Sequence, residues 1–133
     1  MPERSRDWFR QAEADLDHAR LSLAGGDHAW CCFASQQAAE KALKAVYFAH
    51  HGDPWGHSVL IMLQALPADL QGGVTEELLD TARVLDKHYI PTRYPNGFDA
   101  GAPVDYYTER EAKDAIAHAE SVLAFCRARL RQP

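Results

Sequence analysis

Along much of the chain, apolar residues recur at three- and four-residue steps, the spacing that gathers side chains on one face of an α-helix. Trp8, Ala12, Leu16, Ala19 and Leu23 predict a first helix that Gly25-Gly26 stops, and Asp27 is placed to cap the next. The second helix runs from Asp27 to His51, with Trp30, Phe33, Ala34, Ala38, Ala45 and Phe48 on its contact side and Gly52 at its end. After the turn Asp53-Pro54-Trp55-Gly56, a short third helix offers Leu60, Leu63 and Leu66 before Pro67. Thr75, followed by Glu76 and Glu77, opens a fourth helix, because a hydroxyl cap and early acidic charges suit the positive end of the helix dipole. Its apolar side carries Leu78, Leu79, Ala82, Leu85 and Tyr89, and Pro91 ends it. The box Thr108-x-x-Glu111 opens the last helix, striped by Ala112, Ile116, Ala119, Leu123, Cys126 and Leu130 and closed by Arg127, Arg129 and Arg131.

No alternating strand pattern and no internal repeat competes with this reading. The expectation is an all-α fold: a single domain over residues 1–133, built as an antiparallel up-and-down bundle of four to five helices. The stretch from Pro91 to Tyr107 has no helical periodicity and holds Arg93, Tyr94, Phe98, Tyr106 and Tyr107 among its Gly and Pro residues. Unstructured connections of that length are uncommon in compact domains, so an ordered, functional loop is expected there.

Within the apolar sector of the second helix stand Gln37 and Lys41. A lysine in such a stripe is costly unless it is paired or reaches water, and Asp15, at the edge of the first helix's apolar face, is the partner in range. Two readings stay open: a structural ion pair fixing the register of two helices, and a ligand-facing lysine.

Charge and composition narrow the function. A net charge of −5 argues against a broad electrostatic grip on duplex nucleic acid, so any such contact is local. Cys31, Cys32 and Cys126 lack zinc-site spacing and read as reduced core thiols. No histidine pair has the HExxH or comparable spacing of a metal site, and neither a metal nor a cofactor is expected. There is no signal peptide pattern and no run approaching a membrane span, which makes a cytoplasmic location the expectation.

The run Gln36-Gln37-Ala38-Ala39-Glu40-Lys41-Ala42-Leu43-Lys44-Ala45 resembles the HEPN family. So do Trp8, Asp15-Leu16 and Ala19 before it, His57 at the third helix, and Tyr89-Ile90-Pro91-Thr92-Arg93-Tyr94-Pro95 before the last. The resemblance covers nearly the whole chain in the same order. It implies a dimeric helical bundle encoded beside a minimal nucleotidyltransferase, often as a toxin–antitoxin system. Many such domains are metal-independent ribonucleases, while others have lost catalysis and bind nucleotides or act as scaffolds. A helix-four surface mixing Leu79 and Tyr89 with charges fits a homodimer.

Active members carry an Arg and, after four to six intervening residues, a His. Arg93 has the right surroundings, but Phe98, Asp99 and Ala100 stand where that His belongs. Arg83 and His88 have the spacing, yet residues five apart lie about 140° apart on a helix. Asp80 and Asp86 near Arg83 suggest instead a solvated ladder of ion pairs. Cleaving RNA without metal needs a base for the 2′-OH, an acid for the leaving oxygen and a cation over the phosphate. Arg93 alone supplies only the last. The reading is therefore a partner protein that binds nucleotide or single-stranded RNA phosphate through Arg93, Tyr94, Lys41 and His57, with weak or no ribonuclease activity. An active ribonuclease toxin using Arg83 or Arg93 with His88, and a ligand-free scaffold in which Arg93 only anchors its loop, are the alternatives.

Overall fold

The computed structural model describes residues 3–131, and all regular structure in them is helical. In chain order the helices are α1 (Ser5–Ala24), α2 (His28–Ala49), α3 (Val59–Gln64), α4 (Glu76–Asp86), α5 (Pro103–Tyr106) and α6 (Glu109–Leu130). Single 3₁₀ turns lie at Ala68–Leu70 and Pro95–Gly97.

α1 and α2 form an antiparallel pair across Gly25-Gly26. Gly26 takes the left-handed φ of 79° that lets the chain reverse, and the Asp27 carboxylate then accepts from the Trp30 amide to cap α2. α2 is the central element, packed chiefly on α1 and α6, while α4 lies against α3 and α6. Ala12 and Ala19 on α1, Ala38, Ala42 and Ala45 on α2, and Ala112, Ala115 and Ala119 on α6 are all fully buried. These small side chains let the helices approach closely, and Leu43, Val46, Leu63, Leu85, Val122 and Leu123 fill the interior around them. Thr108 and Glu111 form the capping box of α6.

Several sequence expectations need correction. Trp30 is 47% exposed rather than core, its ring edge-on to Phe33. At the end of α2 the left-handed residue is His51 (φ 61°), not Gly52. Gly52 is needed for a different reason: a Cβ there would meet the Tyr47 ring at 2.9 Å. α4 ends at Asp86, short of Pro91, because the amides of Lys87, His88 and Tyr89 turn to the i−3 carbonyls of Val84, Leu85 and Asp86. Pro91 disfavours helical geometry at Ile90, so the chain tightens and leaves the helix before reaching it. The following stretch, expected as a continuous loop, holds the one-turn α5, with Phe98 stacked on Tyr106 at 4.3 Å.

Candidate phosphate-binding site

The short helix α3 starts where a residue of another helix caps it. The Asp86 carboxylate at the end of α4 accepts from the Ser58 hydroxyl (2.7 Å) and from the amides of Val59 (2.7 Å) and Leu60 (3.2 Å). This cross-helix cap holds His57-Ser58 next to the turn that follows α4. Asp86 is thus no partner of Arg83, contrary to the ladder expected from spacing. Arg83 pairs with Asp80 (2.6 Å) and Glu76 (3.2 Å) on the outer surface of α4.

His57 is fixed from two sides. Its Nδ1 faces the buried Glu40 carboxylate at 3.2 Å, and its ring stacks on Tyr89 with 4.6 Å between centroids. Glu40 also meets Lys44 Nζ at 3.2 Å and accepts from Gln36 Nε2 at 3.1 Å. Gln36 donates to the His57 carbonyl as well (3.2 Å), so an i, i+4 pair on α2 grips both ends of one residue. Gln37 donates to Gln36, and Lys41 donates to Gln37 Oε1 (3.2 Å) and to Asp15 Oδ2 (2.6 Å). The motif on α2 is therefore one continuous polar network from α1 to His57.

Tyr89 joins this network to Arg93. Arg93 Nε and Nη2 donate to the Tyr89 carbonyl at 2.9 and 2.7 Å, closing the loop on itself. The guanidinium carbon lies 4.3 Å from the Phe33 ring centre, 4.9 Å from Tyr89 and 5.2 Å from Tyr94. Thr92 adds a hydroxyl bond to the His88 carbonyl (2.6 Å). Among the described residues no carboxylate pairs with Arg93. An arginine with its plane covered by rings and its charge unneutralised is set up to meet an anion edge-on.

The structure thus brings Arg93, Tyr94 and His57 around Tyr89, and puts Lys41 at the far end of the network in its ion pair with Asp15. Arg83 and His88 do not meet. His88 is 6% exposed, its ring edge-on to Tyr107 and its Nδ1 without a hydrogen-bond partner. Burial lowers its pKa, which disfavours the cationic form. Sequence reasoning placed Phe33 and Tyr89 in apolar stripes and gave Glu40 no role. The Gln36–Glu40 spacing on an otherwise apolar, buried helix was the available signal. No group of three His, Cys, Asp or Glu side chains among the described residues could hold a metal ion, and no helix is long and apolar enough to cross a membrane.

These features define an all-helical domain with a polar seam between its first two helices and a ring-covered arginine after the fourth. Residues 5–129 match the HEPN domain model, and the chain belongs to the HEPN family. The crystal structure of TT1696 from Thermus thermophilus superposes with a TM-score of 0.93 at 49% identity, covering 97% of this chain and 100% of that one. ST0689, an archaeal HEPN homologue, gives 0.79 at 39% identity, covering 98% and 100%. The HEPN domain protein of Thermotoga maritima gives 0.76 at 35%, covering 96% and 99%. A Methanocaldococcus jannaschii protein named "Putative toxin MJ1304" is 27% identical over 123 residues, 87% of this chain and 81% of the relative.

Proposed function

We propose that this HEPN domain binds the phosphate of a nucleotide or single-stranded RNA at Arg93, with His57 and Tyr94 beside it. It works as a cytoplasmic homodimer alongside a minimal nucleotidyltransferase in a toxin–antitoxin-type system. The observation that carries the binding site is the Arg93 guanidinium, held by the Tyr89 carbonyl and three aromatic rings without a carboxylate partner. Pre-ordering of this kind leaves little side-chain entropy to lose when a phosphate arrives. The remaining guanidinium N–H groups are its donors, and Tyr94, 49% exposed, offers a ring to the base of a neighbouring nucleotide in a single-stranded RNA. Dimer and partner follow from the family resemblance, and the toxin name of one relative favours the toxin–antitoxin setting.

Catalysis is weak or absent in this reading, since His88 is enclosed and no motif His follows Arg93. A ribonuclease reading draws on one observation: His57, with Nδ1 on Glu40 and the ring half in solvent, has the form of a positioned proton acceptor. Calorimetry with a single-stranded oligoribonucleotide, a gel-based cleavage assay and light scattering test the proposal together. Arg93→Ala is expected to weaken binding by about 1.5–3 kcal/mol, the wild type to leave the RNA essentially uncut, and the protein to scatter as a dimer. Robust cleavage lost in His57→Ala or His88→Ala decides for the ribonuclease. Unchanged binding in Arg93→Ala leaves Arg93 as a loop anchor.

A further inference from the structure

We propose that the surface hollow lined in part by His57 is a base subsite that selects a nucleobase with an exocyclic amino group; this rests on Arg93 taking the phosphate of the same ligand. The hollow, about 400 Å³, lies between the end of α2, the Gly52–Ser58 turn and α3. Tyr47, Ile61 and Met62 line its apolar part, with Trp55 and Asp53 beside them. The volume is that of an ordinary small-ligand site.

Three features give it chemistry. First, Trp55 is 82% exposed and pairs with no other aromatic ring among the described residues. An indole left in water at the edge of a hollow is a stacking platform for a flat ring. Second, most polar atoms in the lining are already engaged. The Tyr47 hydroxyl donates to the Met62 carbonyl (2.7 Å), and the Ser58 hydroxyl donates to Asp86 and accepts from the Ile61 amide. The Asp53 carboxylate has no hydrogen bond to the described chain and is the one carboxylate in the lining. An ionised carboxylate only accepts, so it favours the amino groups of adenine, guanine or cytosine over the carbonyl that uracil presents instead. Third, His57 belongs both to this lining and to the stack on Tyr89, whose carbonyl holds Arg93. One residue, clamped by Glu40 and Gln36, therefore joins an apolar, aromatic hollow to an unpaired cation. A flat base attached through a sugar to a phosphate has that same division of chemistry.

Calorimetry with AMP, UMP and ribose 5-phosphate separates this inference from the reading beneath it. AMP is expected to bind about tenfold more tightly than ribose 5-phosphate, the increment of one base–aromatic stack. Trp55→Ala should bring AMP to the level of ribose 5-phosphate and leave the latter unchanged. Asp53→Asn should narrow the gap between AMP and UMP, and Arg93→Ala should weaken all three. AMP, but not ribose 5-phosphate, should quench indole fluorescence in the wild type, and less so in Trp55→Ala. Equal binding of AMP and ribose 5-phosphate, with Arg93→Ala still weakening both, overturns the base subsite and spares the phosphate site. Binding of none of the three overturns both. Light scattering that turns from dimer to monomer in Trp55→Ala, with AMP affinity unchanged, makes Trp55 an interface residue and also overturns the inference.

Discussion

Lys41 Nζ lies 2.6 Å from Asp15 Oδ2, tying the middle of α2 to α1 at the point where both helices otherwise bury alanines. The two side chains keep 24% and 18% of their exposure, so the pair is neither a surface bridge nor a fully desolvated one. Gln11 and Gln37 supply further hydrogen bonds, one to each partner.

Removing one partner or the other should nonetheless carry unequal costs. Asp15→Ala leaves the lysine, half-enclosed, with only Gln37, and should lower unfolding stability by about 1–3 kcal/mol. Lys41→Met removes the charge, keeps most of the packing volume and leaves Asp15 bonded to Gln11, so its cost should be smaller. Urea denaturation of both single variants and the double variant measures this. Equal, near-zero effects would show that the pair contributes nothing to stability.

His88 makes stability depend on pH. Burial lowers its pKa in the folded protein below the ordinary histidine value of 6.5, with His118 and Lys87 acting in the same direction and Glu111 opposing them. Tyr107 covers the ring. Below about 6.5 the unfolded chain takes up a proton that the folded site resists. The stability present above that pH is therefore lost as pH falls towards the folded pKa. Thermal melts across this range should show Tm dropping in the wild type and dropping less in His88→Leu. Parallel profiles for the two proteins would assign the pH dependence elsewhere.

The three cysteines should be inert in the native state. Desolvation pushes the Cys31 thiol to about 11 and that of Cys32 to about 12, and raises Cys126 as well. All three are fully buried and free of disulfides. A thiolate-specific reagent such as DTNB should label almost nothing at neutral pH and all three thiols in denaturant. Rapid labelling of the native protein would mean that α2 and α6 open locally far more often than their packing suggests.

Much of the helical architecture is written locally in this chain. The Thr75 and Thr108 caps, the Gly25-Gly26 reversal and the apolar stripes act over three or four residues, so periodicity and cap chemistry read them directly. The Asp15–Lys41 pair was legible for a related reason: a charge in an apolar stripe demands a partner, and the adjoining helix offered Asp15 on its contact edge. The motif on α2 also carried the family resemblance, because its order along the chain survives without knowledge of any contact.

Tertiary structure decided what depends on segments distant in sequence. Asp86 stands three residues from Arg83 and invites a local ion pair, yet the start of α3 binds it instead, since two amides and the Ser58 hydroxyl converging on it outweigh one exposed cation. Tyr89 looks like the last apolar residue of α4; only the early end of that helix swings it between His57, Phe33 and Arg93. Trp30 continues the periodicity of α2 and still faces water, because among the described residues no element covers that end of the stripe tightly enough to bury it. Arg93 was marked by its neighbours in sequence, but its fixed orientation comes from rings contributed by α2 and the turn after α4. Side-chain periodicity says which face of an element is apolar; which other element meets that face is set by the packing of the whole bundle.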